Sequence, residues 1–168
     1  MTDEYEDLRR KYKPDRIRVL FVGESRPASG RFFYKGNTVL YRATQQAFRA
    51  VYDRDWRNAT DFLDFFRCRG CYLDDLYPEP IGQADEADCQ RRCREAVSGL
   101  AERMKQWAPQ AVIAVLLRIE ECVSQGMSAA GLRVPFYCLP FPARWYRRYV
   151  EELIAALREL RDGGILDC

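Results

Sequence analysis

The chain has 168 residues, 48% of them apolar, with 27 basic and 25 acidic side chains and a net charge of +2. That length fits one domain over residues 1–168, the charge is too small to declare a nucleic-acid protein, and no run approaches the ~20 apolar residues of a membrane span. Residues 1–6 are too acidic for a signal peptide, so a cytoplasmic location is expected, and the complete lack of histidine excludes Ser-His and Cys-His nucleophile pairs and the usual zinc nitrogen ligand.

In chain order, the charged residues 3–12 predict a short helix, and Pro14 sets off a first strand over residues 16–22. That strand ends abruptly in Gly23-Glu24-Ser25, then a loop with Pro27 and Gly30, then the aromatic block Phe32-Phe33-Tyr34. From Asn37, the spacing of Leu40, Ala43, Ala47 and Phe48 predicts a helix. Residues 60–66 read as a helix end running into a second strand, followed by a loop over residues 68–82 that Pro78 and Pro80 make irregular. Acidic residues open a helix over residues 85–107. The continuous apolar run of residues 111–117 predicts a parallel strand buried on both faces. A short helix over residues 118–128 leads to a last strand at residues 134–139, and residues 143–161 predict a terminal helix. This alternation predicts an α/β fold: three layers, α/β/α, around a mainly parallel four-stranded sheet.

Open α/β sheets place chemistry at the carboxyl ends of their strands, which is where Gly23, Glu24 and Ser25 fall. A carboxylate among apolar neighbours can have its pKa raised and serve as a base or orient a water; it can equally cap or brace the loop. Of the three neighbouring aromatics, one is expected as a stacking platform and two as core. The second concentration is Arg144-Trp145-Tyr146-Arg147-Arg148-Tyr149. Arginines interleaved with aromatics suit a phosphate-and-base surface, and they equally suit an amphipathic helix whose arginines are solvated. The pairs Cys68/Cys71 and Cys89/Cys93 could hold zinc or an iron–sulfur cluster, against the plainer reading of buried thiols. Cys122, Cys138 and Cys168 read as structural. An odd count of seven cysteines argues against a disulfide framework.

Gly23-Glu24-Ser25-Arg26-Pro27 followed by Gly30-Arg31-Phe32-Phe33-Tyr34 resembles the first motif of the uracil-DNA glycosylase superfamily, nearest its iron–sulfur branch, and the likeness covers residues 17 to about 160. It implies Glu24, with Ser25 beside it, as the water-activating group. It also implies Gly23, Phe33 and Asn37 at the base, and Leu40-Tyr41 at a hydrophobic pair of the family. Leu63-Asp64-Phe65-Phe66-Arg67-Cys68 is similar to the strand whose asparagine reads the base edge, which implies that role for Asp64. Leu139-Pro140-Phe141-Pro142, with Leu153 in the helix beyond, resembles the second motif. There the family's polar residue is replaced by Leu139 or Phe141, which removes a donor aimed at the departing base anion. The family's amino-terminal cysteine pair is absent, so no cofactor is expected, with a metal at Cys68, Cys71, Cys89 and Cys93 as the alternative. The resemblance implies a monomeric DNA glycosylase that flips out a deaminated or mispaired base, with Arg144, Trp145, Arg147 and Arg148 holding the DNA backbone and filling the gap in the duplex. A non-catalytic nucleic-acid- or nucleobase-binding module of the same fold, or an enzyme of free nucleosides or nucleotides, stands beside it.

Overall fold

Four short strands form a single sheet in the computed structural model, which describes residues 3–77, 79–80 and 85–167. The strands are β1 (Val19–Gly23), β2 (Cys71–Asp75), β3 (Ala111–Ala114) and β4 (Phe136–Cys138), all parallel in the order β2-β1-β3-β4. Every residue of β1 and β3 is buried, as expected for strands covered on both faces. The helices are α1 (Glu4–Tyr12), α2 (Val39–Tyr52), α3 (Ala59–Cys68), α4 (Glu86–Trp107), α5 (Glu120–Ala129) and α6 (Pro142–Asp162). Helix α2 packs on α6 and α4 packs on α5, giving the expected α/β/α layers. None of the helices among the described residues is long and apolar enough to cross a membrane.

The helix starts follow their capping residues. Asp3, Thr38, Asn58 and Asp85 each accept a hydrogen bond from a backbone amide in the first turn of α1, α2, α3 and α4. Residues 60–66 are the main correction. They hold no strand: Asn58 starts a helix that runs to Cys68, and Phe62, Leu63, Phe65 and Phe66 form its buried face. Apolar residues at 62, 65 and 66 have helical spacing, and only their density resembles a strand. The true second strand begins at Cys71. Of the irregular loop expected over residues 68–82, residues 71–75 are thus strand, while Pro78 and residues 81–82 lie outside the described residues, as does Cys168.

An aromatic core joins these layers. Phe33 meets Tyr34, Tyr41 and Phe66 at ring-centroid distances of 5.1, 5.9 and 5.5 Å. Phe48 and Phe62 continue the cluster at 5.5 Å. Such pairs contribute about 0.5–1.5 kcal/mol each beyond burial. Tyr34 also covers an edge. Its hydroxyl donates to the Leu73 carbonyl at 2.9 Å and accepts from the Leu73 amide at 2.7 Å, on the side of β2 that faces no other strand.

Candidate functional site

Chain direction changes between β1 and β3: β1 leads outward to β2, and β3 leads the other way to β4. Open parallel sheets leave a crevice at that point, beyond the carboxyl ends of the strands. A cavity of about 590 Å³ lies there, within the range of small-molecule sites. The last residue of β1 is Gly23, the loop after it supplies Glu24, Ser25 and Arg26, the next segment Phe32 and Phe33, and the first turn of α2 Leu40. Asp75 ends β2, Leu117 and Arg118 follow β3, and Phe141, Arg144 and Trp145 come from the start of α6.

Backbone pairing fixes Glu24. The Leu76 amide donates to the Gly23 carbonyl at 2.9 Å and the Tyr77 amide to the Glu24 carbonyl at 3.0 Å, so the β1–β2 ladder extends past the last strand residue. The Glu24 side chain is only 9% exposed and meets Arg118 in a two-pronged ion pair. Arg118 Nε donates to Glu24 Oε2 at 2.8 Å, and its Nη2 donates to Oε1. The thiol of Cys93 in α4 points at the same Oε2, at 3.7 Å. Burial and the Glu24 carboxylate push that thiol up to about 12, so it stays protonated and able to donate. Of the roughly four lone-pair positions on a carboxylate, these contacts use three and leave one at Oε1. The hydrogen bond to Glu24 in turn raises the pKa of the Arg118 guanidinium. The apolar surroundings expected for Glu24 are therefore corrected to a guanidinium fork and a thiol.

Gly23 forms part of the floor. A Cβ there would lie 2.5 Å from Asp75 Oδ1, so only glycine lets the carboxylate settle against the strand end. Asp75 Oδ2 accepts from Arg9 Nη2 at 3.1 Å, and Arg9 is further paired with Glu6. Burial raises the Asp75 carboxyl to about 6, with Arg9 opposing the shift and Asp74 adding to it.

The expected residues divide into two groups. Gly23, Glu24, Ser25, Phe33, Arg144 and Trp145 line the one cavity. Phe33 is 4% exposed, so most of its ring is core and only the remainder faces the cavity; Phe32 lines it too. Asp64, Asn37, Arg147 and Arg148 do not line it. Asp64 sits on the exposed face of α3, because residues 60–66 are helix, and the carboxylate at the end of the real second strand is Asp75. Exposed Asn37 braces the loop, accepting from the Phe32 amide at 2.9 Å. Arg147 and Arg148 are exposed and pair with Glu151 and Glu152 one turn along α6, which is the solvated-helix reading.

The cysteine pairs do not converge. Cys71 opens β2 while Cys93 touches Glu24 beyond the opposite end of the sheet, and a five-residue strand is about 13 Å long from first Cα to last. Among the described residues no group of three or more His, Cys, Asp or Glu side chains is arranged to hold a metal ion.

Besides Asp75, two features escaped the sequence reading. Arg118 carries no motif; its role comes from the chain leaving β3 at Ala114 and turning back through a single 3-10 turn at Leu117–Ile119. The other is the rim. Leu117, Phe141 and Trp145, at 44%, 38% and 49% exposure, are the large apolar side chains left exposed among the described residues, and all three line this cavity. Four arginines (Arg26, Arg31, Arg118, Arg144) face two carboxylates (Glu24, Asp75) around it, an excess of positive charge. Compared with known proteins, the chain matches no family model and no curated protein.

Proposed function

We propose that the chain is a DNA glycosylase of the uracil-DNA glycosylase type, working as a monomer in the cytoplasm. It takes a flipped-out base into the cavity at the β1/β3 crevice and hydrolyses its N-glycosidic bond. The observation that carries this reading is the rim: the exposed large apolar side chains gather around the cavity that also holds Glu24 and Phe33. Exposed apolar groups clustered at one mouth mark a binding site, and wedges of this kind fill the gap that an extruded base leaves in a stack. Arg26, Arg31 and Arg144 would take the phosphates, Phe33 the face of the base, and Glu24 Oε1 the attacking water.

Full-length protein is incubated with oligonucleotides carrying uracil, hypoxanthine, xanthine and mismatches, and released base is read by cleavage at the abasic site. Release from at least one substrate is expected. In Glu24→Gln it should fall at least about 100-fold, with oligonucleotide affinity changed less than about threefold. Undiminished release in that variant would overturn the role of Glu24. The occupied lone pairs of Glu24 favour a second reading, a nucleobase-binding module without chemistry. Salt-dependent oligonucleotide binding with no base release from any substrate would establish it in place of the first.

A further inference from the structure

The first motif's acid is present in the cavity, but the second motif brings no polar group to it. Leu139 is 3% exposed in the core, and Pro140 and Phe141 line the cavity with apolar surface. Hydrolysis of an N-glycosidic bond leaves the bonding pair on the base, and a site with no donor aimed at that charge is slow. Arg118 stands at this cavity with capacity to spare. A guanidinium carries five N–H donors in a rigid fork. Nε–H and one Nη2–H go to Glu24, which leaves three: the second on Nη2 and both on Nη1. No acceptor among the described residues takes them, and the side chain, 42% exposed, lines the cavity. The fork is held by a carboxylate that the ladder itself positions, so little reorganisation is needed when charge develops beside it.

We propose that Arg118 is a catalytic residue that binds the departing nucleobase as its anion, in the place of the missing second-motif donor. The step rests on the base-release reading above; the anion site rests on the geometry alone. The C1′–N bond breaks with its electron pair going to the base, where the remaining Arg118 N–H groups meet a ring nitrogen or carbonyl oxygen. Water held by Glu24 Oε1 bonds to C1′, its proton passes through the carboxylate, and the base leaves as the neutral species once protonated. Sugar and base together gain one water, and nothing is oxidised or reduced.

The test must separate this from a role in merely holding Glu24. Single-turnover base release is measured for wild type, Arg118→Gln and Arg118→Lys on oligonucleotides carrying uracil or 5-fluorouracil, whose ring is the more acidic leaving group. Arg118→Gln should lose about 100-fold on uracil and markedly less on 5-fluorouracil, with Arg118→Lys between. Equal losses on both bases would overturn the proposal and leave Arg118 a positioning residue; so would no loss. The second arm needs no catalysis. Binding of free 5-fluorouracil to the full-length protein is followed from pH 7 to pH 9, across deprotonation of its ring. Wild type should bind the anion at least about tenfold more tightly than Arg118→Gln does, while Arg118→Lys, which keeps the charge, retains part of that gain. Equal binding by wild type and Arg118→Gln overturns the anion site. Tight anion binding by a protein that releases no base from any oligonucleotide supports the site and overturns the glycosylase reading instead.

Discussion

Glu24 and Asp75 stand at the carboxyl ends of neighbouring strands, one residue beyond Gly23 and directly opposite it, and each is held by an arginine. Their surroundings differ. Arg9 is 7% exposed, is shared with Glu6, and closes a smaller hollow of about 290 Å³ behind Asp75. Arg118 is 42% exposed and opens onto the large cavity. Where both partners are buried, the pair is a structural commitment that tolerates no missing member. Where the cation faces solvent, its unused donors remain available to a ligand. One sheet end thus carries two similar ion pairs with different work to do.

Breaking the buried pair should have the largest effect. Arg9→Ala strands Asp75 and should lower unfolding free energy by about 3–5 kcal/mol in denaturant titrations, and Asp75→Asn in the same chain should restore part of it. Arg118→Gln, whose amide can still donate to Glu24, should cost less than Arg9→Ala, and an equal loss would erase the distinction.

A pH series sharpens the same contrast. The Asp75 carboxyl is raised from its ordinary 3.8 to about 6 in the fold. Below pH 4 both folded and unfolded chains hold that proton; between pH 4 and 6 only the folded chain does. The unfolded chain then binds fewer protons, so this group makes stability fall as pH rises through that window. Asp75→Asn should flatten the fall, measured by thermal unfolding at fixed ionic strength.

The smallest effect belongs to the surface of α6. Arg147→Ala and Arg148→Ala, which break exposed pairs with Glu151 and Glu152, should change stability by less than about 0.5 kcal/mol and leave base release unaltered.

Strand β1 was legible because Val19-Leu20-Phe21-Val22 meets Gly23 without a polar interruption, and β3 because residues 111–114 are wholly apolar. The layered α/β class followed from that alternation. Phe62-Leu63-Asp64-Phe65-Phe66 misled because a dense aromatic run satisfies both strand composition and helix periodicity, and Asn58, the cap that decides between them, lies outside the run. The first half of the site was legible, since Gly23, Glu24 and Phe33 are close in sequence. Arg118 and Asp75 were not: both reach the cavity through strand order, and no local spacing in one chain encodes which strand lies beside which.

The bond between Tyr34 and Leu73 has a consequence for handling of the chain. A side chain, and not a strand, satisfies the outer edge of β2 at its centre, so a second molecule cannot extend the sheet there without first evicting a buried tyrosine. Phe33, the residue before Tyr34, lines the cavity, so the edge latch and the cavity wall are adjacent in the chain.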